Sequence, residues 1–253
     1  MNKFRGRRNP RIRRAAMAIL DAALLRGLVA RWTYRWGWQG RLKVTTHCVS
    51  LSAEARLAAP LTVAFASDFH AGPTTHPEVF AHLAQELTAR HPDVVLLGGD
   101  FVSLRAEYMA PLAKALSEYR PPLGSYAVLG NHDLWAGDGE ISRRLKDCGV
   151  EVLVNRNVAM RAPFDCVSIC GIDDPWTGDA DLALAFQGAR AVRIWLTHSP
   201  DGLLLLGSQN FSVAFAGHTH GGQICLPDGT PLVGAGGPLS RSYSRGRIDP
   251  SVA

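Results

Sequence analysis

Short polar clusters that could carry chemistry follow five apolar runs of this 253-residue chain, and they contain five of its nine histidines. The clusters are Asp68-Phe69-His70, Gly99-Asp100, Gly130-Asn131-His132-Asp133, His198 and Gly217-His218-Thr219-His220. Carboxylate, amide and imidazole ligands in this mixture suit Mn, Fe or Zn better than Ca or Mg. Because the set exceeds the needs of one ion, it predicts a site for two divalent metal ions that share a carboxylate.

The elements that must position these clusters are strands alternating with helices. Apolar runs predict strands that end just before a cluster at 61–66, 94–97, 126–129, 192–196 and 213–216. Further strands are predicted at 41–49 (an edge strand), 150–155, 158–161 and 166–172, and helices at 78–90, 108–119, 140–148 and 179–187. This alternation indicates an α/β sheet covered on both sides. Ligands bind such sheets outside the carboxyl ends of the strands, so one crevice should collect all five clusters.

Two local features of the clusters carry geometric expectations. Asp68 and His70 are two residues apart, which in an extended chain would point both side chains the same way. Asp100 follows Gly98-Gly99, which allow the backbone to turn sharply beside a ligand. We therefore expect the turn at Asp100 and an extended backbone from Asp68 to His70.

The charge of the chain is divided between a basic leader and a mildly acidic body. The net charge is +5, but residues 1–43 hold twelve Lys or Arg and one acid, Asp21, which leaves fifteen bases and twenty-one acids in the remainder. An acidic body argues against nucleic acid as a partner, because grooves that follow phosphates need clustered Lys and Arg. The five cysteines form no close pair and indicate small buried hydrophobes in a reducing compartment.

The leader has two interpretations. Residues 2–14 contain seven Lys or Arg, and the apolar stretch 15–30 is interrupted by Asp21 and Arg26, so it falls short of the ~20 residues that span a bilayer. An aromatic cluster follows at Trp32, Tyr34, Trp36 and Trp38. We favour a helix that lies in the cytoplasmic face of a membrane and is attracted to anionic lipid. The alternative is a surface helix whose aromatic residues are its core contacts.

The ordered set of clusters resembles the calcineurin-like metallophosphoesterases over about residues 61–223. The resemblance implies a four-layer α/β/β/α sandwich with two divalent metal ions, Mn being expected and Fe or Zn the alternatives. One metal would be held by Asp68, His70, Asp100 and His220, and the other by Asp100, Asn131, His198 and His218. Asp100 would therefore bridge the two metals. His132 would protonate the leaving oxygen or stabilise the phosphoryl charge, and Asp133 would orient His132.

Two longer motifs resemble a membrane-associated bacterial subgroup of that family. They are Gly217-His218-Thr219-His220-Gly221-Gly222-Gln223-Ile224 and Gly171-Ile172-Asp173-Asp174-Pro175, and the basic N-terminal helix agrees with them. This resemblance implies hydrolysis of a phosphodiester or a lipid-linked pyrophosphate such as UDP-2,3-diacylglucosamine, in lipid A biosynthesis. The enzyme would act at the cytoplasmic face of the inner membrane, peripherally or N-terminally anchored. A membrane-tethered metal-binding module without turnover, and a nuclease of the same superfamily, stay open as alternatives.

The chain divides into three predicted parts. Residues 1–40 form the basic membrane-associating segment, residues 41–235 the phosphoesterase domain, and residues 236–253 an irregular, Arg- and Ser-rich tail. Family members resembling this chain continue into strands that close one sheet, so we expect a truncated C-terminus that keeps every ligand but loses an edge strand and stability. The segment after Asp100 also lacks a second acid that the resemblance would place there.

Overall fold

Two four-stranded sheets form the centre of the molecule. The computed structural model describes residues 19, 22–24, 27–39, 42–51, 57–222 and 237–247. The first sheet is parallel throughout, in the order β1 (Val63–Ala66), β2 (Val94–Leu97), β3 (Ser125–Ala127) and β4 (Val150–Val152). The second sheet has the order β5 (Arg156–Ala159), β6 (Val167–Gly171), β7 (Val192–Thr197) and β8 (Val213–Ala216), with β5 antiparallel to β6 and the other pairs parallel.

The helices of the described residues follow the chain between these strands. They are α1 (Leu28–Arg35), α2 (Pro77–Arg90), α3 (Ala110–Ser117), α4 (Asn131–Ala136), α5 (Asp138–Asp147), α6 (Leu182–Phe186) and α7 (Pro238–Ser242). Short 3₁₀ turns lie at Ala106–Met109 and Pro200–Leu205. The start of α2 shows why it begins where it does: Pro77 is its first residue, and the ring of His76 accepts a hydrogen bond from the Glu78 amide.

Alternating side chains of the buried strands build three apolar layers. On β2, Val95 and Leu97 pack against the side of the sheet covered by α2, α3 and α5. Val94 and Leu96 face the second sheet, where they join residues of β6 and β7. On β7, Trp195 turns outward to α6. Each fully buried large side chain contributes about 1.5–3 kcal/mol, so these layers hold the two sheets and their helices together. The predicted four-layer α/β/β/α sandwich is confirmed.

The two sheets meet near a matched pair of edge strands. Strands β1 and β8 have the same sequence, Val-Ala-Phe-Ala, and each is the last strand of its sheet. The rings of Phe65 and Phe215 lie 5.3 Å apart between their centroids. Because both strands end on the same side of the molecule, the clusters that follow them come together.

Some predicted elements differ from the structure. The predicted edge strand over 41–49 is wrong, since the described residues 42–50 are exposed and form no strand. An alternating pattern alone does not produce a strand, and residues 42–50 pair with none of the strands in either sheet. Helix α4 was not predicted, because its six residues are too few to show helical periodicity. The predicted irregular tail contains α7, whereas its last residues, 248–253, lie outside the described residues.

The basic stretch 2–14 and much of the apolar stretch 15–30 also lie outside the described residues. None of the helices in the described part of the chain has the length and apolar character that crossing a bilayer requires.

Candidate metal centre

All five polar clusters lie just beyond the carboxyl ends of strands, as expected. Asp68 follows β1, Asp100 follows β2, and Asn131 begins α4 after β3. His198 follows β7, and His218 follows β8. The structure brings these side chains into two groups, within each of which the candidate ligand atoms of the Asp and His residues lie within 4.8 Å of one another. Asp100 belongs to both groups, so a carboxylate shared between two ions has a place in this structure.

The first ligand group comprises Asp68, His70, Asp100 and His220. Nε2 of His70 lies 2.9 Å from Nε2 of His220. The same atom of His70 is 3.5 Å from Oδ2 of Asp100, and Nε2 of His220 is 3.5 Å from Oδ1 of Asp68. Two imidazole nitrogens that converge between two carboxylates are a donor arrangement that fits a divalent cation.

The second ligand group comprises Asp100, Asn131, His198 and His218. Nε2 of His198 lies 3.4 Å from Oδ2 of Asp100, 3.2 Å from Oδ1 of Asn131 and 3.2 Å from Nδ1 of His218. The other ring nitrogen of His198 is 2.7 Å from the Gly98 carbonyl oxygen, to which Nδ1–H donates. This hydrogen bond places a proton on Nδ1, so Nε2 is the ring atom that would coordinate a metal after losing its own proton, as in most ligating histidines.

The backbone of the candidate ligands is held in an uncommon conformation. Seven non-glycine residues of the described chain have positive φ, and five of them are Asp68 (55°), His70 (43°), Asp100 (55°), His218 (71°) and His220 (50°). The left-handed region costs such residues about 1–2 kcal/mol each. Strain of this kind persists only where the surroundings enforce it, and it clusters at functional sites. The expectation of an extended chain from Asp68 to His70 was therefore wrong.

Hydrogen bonds between the loops enforce that conformation. The Asp68 amide donates to the Gly99 carbonyl at 3.0 Å, and the His70 amide donates to the Asp100 carbonyl at 2.9 Å. The His218 amide donates to both carboxylate oxygens of Asp68, at 3.0 and 2.9 Å. The loops after β1, β2 and β8 thus fix one another.

The expected sharp turn at Asp100 is present and needs its glycine. Gly99 has φ of 92°, and a Cβ built there would come 2.6 Å from the Gly130 nitrogen. A side chain at this position would separate the loop after β2 from the loop after β3, which carry Asp100 and Asn131. Gly99 therefore sets the distance between two candidate ligands.

His132 lies beside the first ligand group and is anchored by its ring. Its Nδ1 is 2.7 Å from the Ser103 carbonyl oxygen, and its backbone amide donates to Oδ1 of Asp100 at 2.9 Å. The ring makes an edge-on contact with His70 at 4.7 Å and lies 4.9 Å from the Trp135 ring. With Nδ1–H donating to a carbonyl, Nε2 is the ring atom left for proton transfer.

Asp133 differs from its expected role of orienting His132. Its side chain is fully buried, and Oδ1 accepts hydrogen bonds from the Phe101 and Val102 amides at 2.8 and 3.3 Å. Oδ2 accepts from the Gly130 amide at 2.9 Å, the contact of an acid at the third position of a helix. Burial raises the pKa of Asp133 to about 8. Asp133 ties the loops after β2 and β3 together, while the Ser103 carbonyl orients His132.

Burial and mutual charge set the ionisation of the centre. Burial lowers the pKa of His70 to about 4, so its ring is neutral near pH 7, the form that binds metals. Burial raises the pKa of Asp100, but His198 beside it more than offsets that effect and holds the pKa below its usual value. The neighbouring Asp100 in turn raises the pKa of His198 to about 10 against the effect of burial.

Sequence reasoning missed the residues that support the loops of the second sheet. Asp201 and Ser240 are buried, and Oδ1 of Asp201 accepts from the Leu239 amide at 2.9 Å. Oδ2 of Asp201 accepts from Ser240 and from Ser199, the latter at 3.1 Å. The Thr219 hydroxyl, between His218 and His220, donates to the Ser244 carbonyl at 2.7 Å. Apart from the Ser199–Asp201 bond, these contacts join residues about 25 to 40 positions apart, so no local pattern marks them.

The Asp173-Asp174 pair, noted in the sequence only for its resemblance, also supports this side of the centre. Both residues are buried, and Oδ2 of Asp174 accepts from the amide and the hydroxyl of Thr177, each at 2.7 Å. The charge of Asp174 acts on His198 and His218 by raising the pKa of each, although burial and His198 leave the pKa of His218 below its usual value.

Comparison with known proteins agrees with this geometry. The family model described as calcineurin-like phosphoesterase matches residues 61–222. The chain is 29% identical over 177 residues to phosphodiesterase YaeI of Escherichia coli (strain K12), covering 67% of this chain and 64% of YaeI. It is 30% identical over 183 residues to the uncharacterized metallophosphoesterase YkoQ of Bacillus subtilis (strain 168), covering 70% and 67% of the two chains.

A third relative is the transmembrane protein with metallophosphoesterase domain of Danio rerio, at 30% identity over 179 residues. That alignment covers 65% of this chain and 41% of the relative. The alignments therefore span about two thirds or less of the length of these relatives.

Proposed function

The chain belongs to the calcineurin-like phosphoesterases, and we propose that it hydrolyses a phosphodiester or pyrophosphate bond with two divalent metal ions. The observation that carries this proposal is the pair of ligand groups that share Asp100, with His132 next to them. Similarity to phosphodiesterase YaeI supports a phosphodiester or a related bond.

The two ligand groups divide the binding of the ions. Asp68, His70, Asp100 and His220 would hold one ion, and Asp100, Asn131, His198 and His218 would hold the other. Bound there, two such ions lower the pKa of a water and neutralise charge on the phosphoryl oxygens. Manganese is the metal we propose, since the mixture of carboxylate, amide and imidazole donors suits it, with Fe or Zn as alternatives.

His132 supplies the proton that the leaving group needs. A water that has released one proton to the solvent adds its oxygen to phosphorus, and the bond from phosphorus to the leaving oxygen breaks with its electron pair on that oxygen. Nε2–H of the doubly protonated His132 ring transfers its proton to that oxygen, which leaves the ring neutral with Nδ1–H still in place. The hydrogen bond from Nδ1 to the Ser103 carbonyl holds the ring in place during this transfer. A positioned acid of this kind contributes about 10²–10⁴ in rate.

For the substrate we propose a lipid-linked pyrophosphate, UDP-2,3-diacylglucosamine being the specific candidate from lipid A biosynthesis. The support is the basic segment 1–40, which would bring the catalytic body to an anionic membrane at the cytoplasmic face of the inner membrane. The acidic charge of residues 44–253 disfavours nucleic acid as a substrate.

The test is hydrolysis by metal-depleted protein reloaded in turn with Mn, Fe and Zn. Bis-p-nitrophenyl phosphate reports diester cleavage, and UDP-2,3-diacylglucosamine in detergent reports pyrophosphate cleavage. We expect metal-dependent turnover of the diester, with His132→Gln slow although it binds both ions. Protein that carries two ions and hydrolyses neither compound would instead favour a metal-binding module. Preferential cleavage of single-stranded DNA would favour the nuclease alternative.

A further inference from the structure

The segment 28–39 turns three tryptophans away from the domain. Ala30 packs inward and is 3% exposed, whereas Trp32 in α1 and Trp36 and Trp38 just after it are 51%, 62% and 74% exposed. These three tryptophans are therefore not core contacts, whereas Tyr34, the fourth aromatic residue of the cluster, contacts the domain. Three exposed tryptophans on one short segment form an apolar surface that a soluble domain rarely leaves uncovered.

The same segment is fixed to the loop that follows His70. The Tyr34 ring stacks on the His76 ring, with centroids 4.1 Å apart and planes 10° apart. The Gln39 side chain donates to the Thr74 carbonyl at 2.7 Å and accepts from the His76 amide at 2.9 Å. We call this set of contacts the Gln39–His76 joint.

The Gln39–His76 joint lies close to the candidate metal centre along the chain and is linked to it by hydrogen bonds. Its loop begins at Gly72, two residues after His70, and the Ser103 hydroxyl donates to the His70 carbonyl at 2.9 Å. Ser103 is also the residue whose carbonyl anchors His132. The segment that carries the exposed tryptophans is thus joined to the loop that follows His70.

The charge around the tryptophans indicates what covers them. Arg31 and Arg35 are exposed on α1, and the first 43 residues hold twelve bases against one acid. Tryptophan and arginine together favour the headgroup zone of a membrane. Basic residues beside the tryptophans would add electrostatic attraction to an anionic membrane surface.

We propose that the surface formed by Trp32 of α1 and by Trp36 and Trp38 just beyond its end docks onto an anionic lipid surface, and that the Gln39–His76 joint holds the metal centre at that surface. The substrate is then a phosphate ester or pyrophosphate carried at headgroup level. The metal centre reaches it while the substrate stays in the membrane. This inference rests on the proposed function and adds to it the surface through which the site meets its substrate.

Vesicle binding tests the docking surface independently of catalysis. The full-length protein is sedimented with vesicles of phosphatidylglycerol and phosphatidylethanolamine, and with phosphatidylcholine vesicles as the neutral comparison. We expect binding to the anionic vesicles that weakens as salt is raised. A variant with Trp32→Ala, Trp36→Ala and Trp38→Ala should bind at least about tenfold more weakly, in line with the loss of interfacial tryptophans.

Trp176→Ala is the matched control, because Trp176 is 50% exposed but lies outside α1. It should bind vesicles like the parent. Equal binding by the triple variant and the parent, or an equal loss in Trp176→Ala, would overturn the proposed surface. A dimer of the parent in sedimentation velocity that the triple variant abolishes would assign the face to a second copy instead.

The joint is tested by Gln39→Ala, which removes the contacts to Thr74 and His76 without touching a candidate ligand. This variant should bind vesicles and hydrolyse soluble bis-p-nitrophenyl phosphate like the parent. Its hydrolysis of UDP-2,3-diacylglucosamine embedded in the anionic vesicles should fall several-fold. Unchanged hydrolysis of the embedded substrate would refute the role of the joint in holding the metal centre at the membrane. A parent that cleaves neither the soluble diester nor UDP-2,3-diacylglucosamine in detergent would refute the proposed function, yet vesicle binding would still decide the docking surface.

Discussion

The loops of the first sheet and the loops of the second sheet supply different chemistry to the same centre. The first-sheet loops carry both carboxylates, the amide of Asn131 and the rings of His70 and His132. The second-sheet loops carry only histidines, namely His198, His218 and His220. The carboxylate that two ions could share and the proton donor thus come from the loops of one sheet. The loops of the other sheet complete the coordination.

The two sets of loops also differ in what holds them. Asp133 ties the first-sheet loops to each other from within, using residues that lie inside the family match. The second-sheet loops are held from outside by residues 237–247, through Asp201, Ser240 and Thr219. The matching edge strands β1 and β8 therefore end in loops with unequal support. We expect the second-sheet loops to be the easier ones to disturb.

The largest effect should come from the residue where the two sets of loops meet. Asp100→Asn keeps the shape of the side chain but removes the charge shared by both ligand groups. Because several kcal/mol of charge stabilisation is lost, diester hydrolysis should fall by about 10⁴-fold or more. Steady-state kinetics measures the loss, and circular dichroism checks that the fold persists. A folded variant with a tenth of the parent's activity would refute the sharing of Asp100.

Removing the proton donor should have the next largest effect. His132→Ala leaves every candidate ligand in place, so metal content should match the parent while kcat falls by about 10³-fold. Exposed His47→Ala is the control and should behave like the parent. If the fall were confined to substrates with poor leaving groups, it would sharpen the assignment of His132 as the acid. An unchanged kcat on such substrates would exclude that assignment.

Asp133→Ala tests whether the first-sheet loops are braced from within. It leaves three buried amides without an acceptor, so the free energy of unfolding should fall by about 3 kcal/mol. Urea denaturation measures the change. Asp147→Ala, whose carboxylate pairs with Arg143 on the exposed side of α5, should cost less than about 1 kcal/mol. Equal losses in the two variants would argue against the brace.

The smallest effect should come from the support of the second-sheet loops. Ser240→Ala removes hydrogen bonds to Asp201 and Ser199, at a cost of about 1 kcal/mol in stability. By loosening the loop after His198, it should weaken binding of one ion of the two by about tenfold. Ser242→Ala on the same helix loses only a bond to the Pro238 carbonyl and serves as the control. Calorimetric titration with Mn separates the affinities for the two ions. If both affinities fell equally, the two sets of loops would not differ in support as proposed.

Much of the sandwich and of the centre follows from the sequence, because apolar runs mark buried strands and ligands gather at their carboxyl ends. Strands β2 and β8 begin and end where predicted. The failures have a common cause in contacts between distant residues. Residues 42–50 alternate like a strand but lack a partner, and the left-handed backbone of Asp68 and His70 is imposed by the loop after β2.

Support for the centre was harder to predict than its ligands. The partners of Asp133 are backbone amides, which leave no residue type to recognise in a sequence. Ser240 and Gln39 are common polar residues, and their partners lie far away in the sequence. Among the four aromatic residues of 32–38, Tyr34 contacts the domain whereas the three tryptophans are exposed, and their even spacing in the sequence does not distinguish the two environments.

The number of ions bound per chain tests the central claim most directly. Equilibrium dialysis against Mn, followed by metal analysis, should give two ions for the parent protein. It should give one ion for His220→Ala, which belongs to the first ligand group, and one for His218→Ala, which belongs to the second. A parent that binds a single ion, or one substitution that removes both ions while the other removes none, would contradict a centre built from two groups around Asp100.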